Sequence, residues 1–411
     1  MGKRNFKEKF MKKYILLCAI LFIMPEYIYP NVKSLSDSAQ ISVIIEAPSN
    51  KNVVYMNGHV ALRVKDPVLD IDYIFSYGAF TSRSQLYLAL IGKQVSELWG
   101  APTETSIQDD IKNKGTQIRE HVLNFTPEEK ERFWQSLMFN ALPENSKYEY
   151  DILRRSCATL PVELIEKNVT GKVVYNFPPD ARDLSFREAS DIAYGKYPWV
   201  CFFRDILFNG NKNNNKKILK REEFFLPLKV EAGLQTAKIV DKEGTSRPLI
   251  LSSHVLFEGV KESPVKTLIT PLQLAFVMLT FTIILTLIEF WRKKQYRTYD
   301  CLLFGVAGLM GIVLALLTIY SNYPYKSSPN YCLLWLNPFH LIGVALFAFK
   351  KFDKPAYYYH ILNILLMTFV ISGKFFLPRY YNEALLPFMF CWWIRSFAGI
   401  VRYRMNHLKN K

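Results

Sequence analysis

The stretch NGHVALRV, residues 57–64, places apolar side chains at every second position behind a histidine, which predicts a half-buried β-strand. The stretch RRSCATLPVELIEK, residues 154–167, predicts a helix start, with Ser156 as the expected N-cap and a proline that is tolerated in the first turn. Strands and helices pack against each other in α+β domains. The two stretches therefore predict an α+β fold in which His59 and Cys157 can meet.

The charge of the chain points to a membrane rather than to nucleic acid. The chain has 411 residues and a formal net charge of +16. Such an excess of positive charge would by itself be compatible with binding to nucleic acid. However, many basic residues stand at the N-terminus and in short loops between apolar segments, where membrane proteins carry them. Residues 31–265 have a soluble composition, and the chain from about residue 269 is mostly apolar. We therefore predict no nucleic-acid partner.

The first thirty residues have the pattern of an export signal. Basic residues at positions 3–13 precede an apolar stretch over residues 14–24, and polar sequence follows. Cleavage is expected near residues 28–32, although no small-x-small site is evident there, so an uncleaved anchor is the alternative. A cleaved signal and an uncleaved anchor both predict that the following residues are exported.

Five apolar segments in the second half are each long enough to cross a bilayer. They run over residues 269–291, 301–320, 330–349, 359–377 and 384–401. Loops 292–300 and 350–358 and the C-terminal tail are basic, whereas the alternate loops carry only Lys326 and Arg379. Because basic loops stay cytoplasmic, residues 31–265 should lie outside. The sequence predicts a multi-pass protein of the bacterial inner membrane with a periplasmic domain.

Two polar residues in the third apolar segment are candidates for binding a substrate. Asn337 and His340 stand in its outer half, in LWLNPFHLIG. Polar groups inside a bilayer are costly, so they either bond between helices or serve a function. The alternatives here are interhelical hydrogen bonds and a cradle for a lipid headgroup.

The exported part should be an antiparallel sheet with helices packed on it. Strands are predicted over residues 39–48, 59–64, 72–80 and 117–125, and a helix begins at Thr126. Leu88, Ile91, Val95 and Leu98 recur at helical spacing, which predicts a helix within residues 85–100. Residues 207–222 should form a basic loop, and residues 223–265 a small β-rich extension.

Cys157 is the candidate nucleophile. A helix N-terminus lowers the pKa of a thiol, and Arg154 and Arg155 add positive potential beside it. His59 is the candidate general base, since a base within hydrogen-bond reach activates a thiol. A third polar group usually orients such a histidine, and the candidates on the adjoining strand are Asp72, Ser76 and Tyr77.

Spacing alone leaves structural alternatives. Cys157 could form a disulfide with Cys201, because an exported domain can be oxidised. His121 and His254 are weaker candidates for the base, since neither starts a strand beside a glycine. No close pair of ligands suggests a metal, and we predict no cofactor.

Several stretches resemble one membrane family: SLSDSAQISVI, GHVALRVKDP, DYIFSYGAF, LPENSKYEYDILRRSCATLP and the apolar second half. It is the lipoprotein N-acyltransferase family whose exported domain was long catalogued as a domain of unknown function. The resemblance extends from about residue 34 to residue 405. It implies a permuted papain-like, NlpC-type exported domain, similar to lecithin–retinol acyltransferase, and an all-α bundle of five transmembrane helices. It also implies that Cys157 is the nucleophile and His59 the base.

The chain departs from the family motif at two positions. The motif usually reads Asn-Cys-Ala-Thr-Arg, whereas this chain has Ser156 before the cysteine and Leu160 after the threonine. Any role of the missing asparagine or arginine side chain is either lost or moved to Arg154 or Arg155. Together with Ser156, Asn337 and His340, these two arginines are the candidate substrate-binding residues.

The resemblance implies a domain plan and a reaction. The predicted units are a signal or anchor (1–30), a thiol acyltransferase domain (31–205), a loop and β-rich extension (206–265), a five-span domain (266–405) and a cytoplasmic tail (406–411). The reaction would carry a fatty acyl chain from phospholipid, through a thioester on Cys157, to the α-amine of a diacylated lipoprotein. The alternatives are a membrane-tethered thiol peptidase or amidase acting on cell-wall peptide, and a non-enzymatic receptor or assembly factor with an inert Cys157.

Overall fold

The computed structural model describes residues 33–80, 83–89, 91–178, 182–208, 216–261, 263–322, 330–376 and 382–409. The predicted export signal, the tip of the basic loop, and Lys326 and Arg379 of the outer loops lie outside these residues. The described chain forms an α+β part followed by a helical part, as the sequence predicts.

The α+β part is built on an antiparallel arrangement of short strands. The strands are β1 (Gln40–Glu46), β2 (His59–Asp66), β3 (Ile71–Phe80), β4 (Val95–Pro102), β5 (Ile118–Leu123), β6 (Lys147–Glu149), β7 (Lys172–Val174), β8 (Lys238–Val240), β9 (Ser246–Pro248) and β10 (Ile250–Phe257). A seven-stranded sheet has the order β10-β5-β1-β2-β3-β4-β6, and a small sheet has the order β7-β8-β9. The strand that begins with His59 therefore lies in the middle of the large sheet.

Helices cover both faces of the large sheet. They are α1 (Arg83–Ala89), α2 (Thr103–Asn113), α3 (Pro127–Ala141), α4 (Thr159–Asn168), α5 (Phe186–Tyr194), α6 (Pro198–Leu207) and α7 (Pro227–Thr236), with 3₁₀ turns at Val53–Tyr55 and Lys220–Phe225. Val60 and Leu62 of β2 pack with Phe133 of α3 and Ile165 of α4 in the main core. Side chains alternate between the faces of a strand, so Ala61 instead packs on the side of α2.

The helix predicted within residues 85–100 is wrong in its second half. The helix α1 ends at Ala89, and Gly92 adopts a φ of 65°, which a right-handed helix does not allow. Val95 and Leu98 then lie on β4, between β3 and β6. The side chains of Val95 and Leu98, three residues apart, point to opposite faces of this strand, so their helical spacing does not correspond to a shared face.

The predicted β-rich extension contributes strands to both sheets. Its last strand, β10, pairs with β5 and forms one edge of the large sheet. The strands β8 and β9 pair with each other, and β8 also pairs with β7 from before the basic loop. Residues 223–257 thus belong to the same folded unit as the strands that precede them.

The second half contains four helices that are long and apolar enough to cross a membrane, among the described residues. The helices of this half are α8 (Pro271–Arg292), α9 (Arg297–Tyr320), α10 (His340–Ala348), α11 (Asp353–Phe376) and α12 (Leu385–Lys409), with 3₁₀ turns at Tyr331–Leu334 and Lys350–Phe352. Each of the five predicted segments therefore overlaps one of these helices, although in the third segment only the nine residues of α10 are α-helical.

The third segment nevertheless passes from one end of the helical part to the other. At its start, the Asn330 side-chain amide donates to the carbonyl groups of Ile206 and Leu207 in the α+β part. At its end, the Arg297 guanidinium donates to the Phe347 carbonyl and pairs with Asp353. The helix breaks where Pro338 lacks an N–H donor. The segment therefore crosses the helical part once, as a broken element.

A buried charge network joins three of the long helices. Arg395 of α12 is fully buried and donates to Glu289 of α8 and to Asp300 of α9. Arg402, two turns further along α12, also pairs with Glu289. Two arginines and two carboxylates therefore balance in a largely buried place, where an unpaired charge would be costly.

Contacts between the two halves hold the α+β part against the helical part. The Trp199 indole of α6 donates to the Ile269 carbonyl at 2.9 Å, and Phe202 of α6 packs against Phe388 of α12. The Asn322 N–H donates to the Ile91 carbonyl at 2.7 Å, just beyond the end of α9. The two halves are thus connected by these contacts as well as by the segment between β10 and α8.

Candidate active site

A glycine turn places His59 at the head of β2. Gly58 has a φ of 79°, and a Cβ there would lie 2.3 Å from the Glu46 carbonyl oxygen. Only glycine allows the chain to pass so close to β1 in this conformation. The His59 imidazole then reaches β3, where its Nε2 lies 2.5 Å from the Ser76 hydroxyl oxygen. Of the three candidates for an orienting residue, Ser76 is therefore the one that contacts His59.

Cys157 lies immediately before α4. That helix begins at Thr159, slightly later than the sequence predicts, and its formal N-cap Ala158 gives no side-chain hydrogen bond. The Ser156 hydroxyl oxygen instead accepts weak bonds from the N–H groups of Ala158 and Thr159, at 3.3 and 3.4 Å. The turn that carries Cys157 is thereby fixed by a buried serine.

Cys157 and the head of β2 come together at a bulge in β3. The regular pairing of β3 with β4 shifts between Ser76 and Ala79. A Cβ on Gly78, which lies in this bulge, would be 3.6 Å from the Cys157 Cβ. The missing side chain at Gly78 therefore leaves room for the cysteine beside the strand.

The surroundings of Cys157 favour its thiolate form. Burial raises the pKa of the Cys157 thiol, but the opposing effects are larger in sum. The charge and hydrogen bond of His59, a hydrogen bond from Tyr150 and one from the Val60 N–H all lower this pKa. The net result is a pKa below the ordinary value for cysteine, which suits a nucleophile.

Tyr150 is a site residue that sequence reasoning missed. Its hydroxyl group lies 3.9 Å from the Cys157 sulfur, and burial raises the pKa of Tyr150 well above the usual range. A phenol that stays protonated can donate a hydrogen bond to negative charge on or next to the sulfur. The only signal in the sequence is the tyrosine-rich stretch KYEYD, which runs from β6 towards the cysteine.

Asp72 and Tyr77, the other two candidates for the orienting residue, make bonds elsewhere. Asp72 lies near the opposite end of β3 from Ser76, where it pairs with Arg63 and accepts from the Thr103 hydroxyl group. The Tyr77 hydroxyl oxygen accepts from the Asn140 amide of α3, on the core side of the sheet. The described contacts therefore do not join either residue to His59.

The candidate substrate-binding residues fall into two groups. Arg154 and Arg155 are exposed beside the cysteine, and Arg155 lies over the Tyr148 ring, whereas Ser156 is buried. In the helical part, the Asn337 side-chain carbonyl oxygen accepts from the Phe339 N–H. His340 is 1 % exposed and bonds to Tyr359 and to the Trp335 carbonyl, an arrangement that fits helix packing. The structure brings only the first group near Cys157.

The other cysteine and the other two candidate histidines make contacts of their own. Cys157 and Cys201 are both free thiols, so the alternative of a disulfide between them is wrong. His121 is buried and bonds to Glu231 at 2.9 Å and to Ser253 at 2.8 Å. His254 contacts Ser252 on the same edge strand. Both histidines lie on the β5–β10 side of the sheet, away from Cys157.

The site therefore consists of a free thiol before a helix, a histidine at a strand head and a buried tyrosine, in a domain fixed on a helical membrane part. Two family models match the chain. The model of the Lnb N-terminal periplasmic domain matches residues 29–185, and that of the Lnb transmembrane domain matches residues 262–406.

The chain belongs to the Lnb family, whose members combine an N-terminal periplasmic domain with a C-terminal transmembrane domain. It is accordingly a membrane protein with a periplasmic domain. No curated protein sequence matches the chain significantly, and neither does any solved structure. The papain-like, NlpC-type description of the periplasmic domain thus stays a prediction.

Proposed function

We propose that this protein is an N-acyltransferase of the bacterial inner membrane. It transfers a fatty acyl chain from a phospholipid to the α-amine of a diacylglyceryl-cysteine lipoprotein, through a thioester on Cys157. The observation that carries the proposal is the arrangement of the free Cys157 thiol before α4 with His59 at the head of β2 and the Tyr150 hydroxyl group beside the sulfur. Family membership supports the same reaction class.

The first half-reaction uses His59 as base and then as acid. His59 takes the thiol proton, and the thiolate attacks an ester carbonyl carbon of the phospholipid. The Tyr150 hydroxyl group is placed to donate to the oxyanion. The carbon–oxygen bond then breaks, His59 returns the proton to the glycerol oxygen, and lysophospholipid leaves.

The second half-reaction consumes the thioester. The free α-amine of the lipoprotein attacks the thioester carbonyl carbon, and the carbon–sulfur bond breaks. His59 passes the proton from the amine to the sulfur, which restores the resting thiol. A thioester is suited to this step because it reacts with amines more readily than the parent ester does.

The position of the site supports access to lipid. The Tyr150 N–H donates to the Gln94 carbonyl, and three residues earlier Ile91 accepts from Asn322 at the end of α9. Lys93, between them, lies over the Tyr320 ring. A short chain of contacts thus connects the thiol to a membrane-spanning helix, which suits a donor that lies in the bilayer.

The test is to trap the acyl-enzyme. Purified full-length protein mixed with phospholipid vesicles should gain the mass of one acyl chain on Cys157, and hydroxylamine should release it. Cells with Cys157→Ala should accumulate lipoproteins with free N-termini, whereas cells with Cys201→Ala should not. Normal N-acylation in the Cys157→Ala strain would refute the proposal, and cleavage of cell-wall peptides without acyl transfer would favour a peptidase.

A further inference from the structure

A cavity of about 550 Å³ lies beside His59, on the side of the sheet that α2 covers. His59 and Ser76 line one part of it, and Glu46, Asp110 and Lys114 line another. The mechanism given above assigns no role to this cavity or to its charged wall. Its contact with His59 makes it part of the surroundings of the reaction.

The charged wall is built into the fold. The Lys114 ammonium group contacts the Glu46 carboxylate and lies 2.7 Å from Asp110 Oδ1. Glu46 is only 3 % exposed. Glu46 and His59 are direct partners in the β1–β2 ladder, so their Cβ atoms are about 5 Å apart on the same face of the sheet. The Glu46 and His59 side chains therefore leave neighbouring positions on the same face of the sheet.

The wall carries more negative than positive charge. Two carboxylates, Glu46 and Asp110, share the single ammonium group of Lys114. Burial, and secondly the charge of Glu46, raises the pKa of Asp110 to about 6. Asp109, on the exposed side of α2, adds a third carboxylate to the lining. Such a wall would be stabilised by one further cation.

Aromatic side chains complete a site for that cation. Tyr55 and Trp99 line the cavity, and Trp99 is 54 % exposed. The Lys114 ammonium nitrogen already lies 5.4 Å from the centroid of the Tyr55 ring, a distance typical of a cation over an aromatic face. Carboxylates and ring faces together favour an ammonium group over a neutral or anionic ligand.

We propose that this cavity binds a primary ammonium group against the wall formed by Glu46 and Asp110, beside His59, in competition with the Lys114 ammonium group that lies between the two carboxylates. The inference rests on the proposed acyl transfer, because both substrates of that reaction can bring such a group. One source is the α-amine of the lipoprotein acceptor, which binds as an ammonium group and must release one proton to solvent before it can attack the thioester. The other source is the ethanolamine headgroup of the phospholipid donor. The cavity thus selects a substrate by its amine.

Binding is tested on the full-length Cys157→Ala protein in detergent micelles, where no turnover occurs. Calorimetric titration with phosphoethanolamine should show binding, and titration with ethyl phosphate, which lacks the amine, should not. Asp110→Asn should weaken the binding of phosphoethanolamine about tenfold or more, since a charge-assisted hydrogen bond is lost. Lys114→Met should strengthen it, because it removes the competing cation.

The controls decide whether the effect is specific. Asp37→Asn, an exposed change remote from the cavity, should bind phosphoethanolamine as the parent protein does. Glu46→Gln replaces Asp110→Asn if the latter does not fold, as judged by thermal unfolding. Equal binding of ethyl phosphate, or unchanged binding in both carboxylate variants, would overturn the proposal.

The source of the amine is distinguished in the protein with Cys157 intact. If the headgroup is bound, Asp110→Asn should slow thioester formation from phosphatidylethanolamine vesicles but not from phosphatidylglycerol vesicles. If the acceptor is bound, it should raise the KM for a diacylated lipopeptide and leave thioester formation unchanged. If wild-type protein forms no thioester with either lipid, the proposed function fails. The calorimetric titration with phosphoethanolamine still tests the ammonium site independently.

Discussion

The Nε2 atom of His59 lies 2.5 Å from the Ser76 hydroxyl oxygen, and the same imidazole lowers the pKa of the Cys157 thiol through its charge and a hydrogen bond. Thiol enzymes more often orient their histidine with a carboxylate or an amide. A hydroxyl group fixes the ring without adding charge. The Cys157 thiolate is then stabilised by His59, Tyr150 and the Val60 N–H together. The two side-chain contributions can be removed separately by mutation.

Replacement of Ser76 by alanine should lower kcat for acyl transfer about tenfold, because the imidazole loses the hydrogen bond that orients it. Ser76→Thr should retain most of the activity, since it keeps a hydroxyl group. The measurement is steady-state kinetics with a diacylated lipopeptide, together with a melting curve. An unchanged kcat in Ser76→Ala would show that the contact does not position the base.

Alkylation by iodoacetamide should report the lowered pKa of Cys157. The thiolate reacts and the thiol does not, so the labelling rate should reach half its maximum at a pH below the ordinary cysteine pKa. In His59→Ala, the charge and hydrogen bond that lower the pKa are lost, and the midpoint should move to higher pH.

Cys201 provides the internal control for that measurement. Burial raises the pKa of Cys201, so its peptide should label more slowly than that of Cys157 near neutral pH. Peptide mass spectrometry follows both sites in one sample. Equal labelling midpoints for Cys157 in wild type and His59→Ala would contradict the assignment of His59 as base.

Replacement of Tyr150 by phenylalanine should reduce kcat by about ten- to a hundredfold, because a donor to the developing oxyanion is lost. It should also raise the labelling midpoint of Cys157, since the Tyr150 hydrogen bond lowers the pKa of the thiol. Tyr73→Phe, at an exposed position of β3, serves as control and should leave both quantities unchanged. Wild-type kcat in Tyr150→Phe would exclude this role.

Replacement of Arg395 by methionine should destabilise the helical part by about 3–5 kcal/mol, because Glu289 and Asp300 then share only Arg402 in a buried place. Thermal unfolding of the detergent-solubilised protein measures the effect. Arg404→Met, at the exposed end of α12, should change the melting temperature little. Equal melting temperatures for the two variants would show that the network adds no stability.

Local patterns in the sequence predicted the elements that hold the reactive pair. The alternation behind His59 gives β2, and the long apolar segments give α8, α9, α11 and α12. The helix predicted within residues 85–100 is wrong beyond Ala89, because four apolar residues at helical spacing are too few to exclude a turn followed by a strand. Residues 95–102 form a strand because they pair with β3, and such pairing between distant parts of the chain cannot be seen in a local pattern.

The partners within the site were harder to predict. Ser76 was one of three candidates on β3, and only the bulge near Gly78 shows which side chain meets His59. Tyr150 comes close to Cys157 because β6 pairs at the edge of the sheet, which no spacing in the chain encodes. Likewise, the interruption of the helix near Pro338 could not be predicted, because residues 330–349 have the length and hydropathy of an ordinary membrane-spanning helix.

The hydrogen bond between Asn322 and Ile91, with the docking of α6, has a consequence for how a lipid reaches the sulfur. A domain on a free tether could change its distance from the membrane, but these contacts fix the α+β part against the helical part. If the proposed reaction takes place, the fold therefore sets how far a lipid must move out of the bilayer to reach the sulfur.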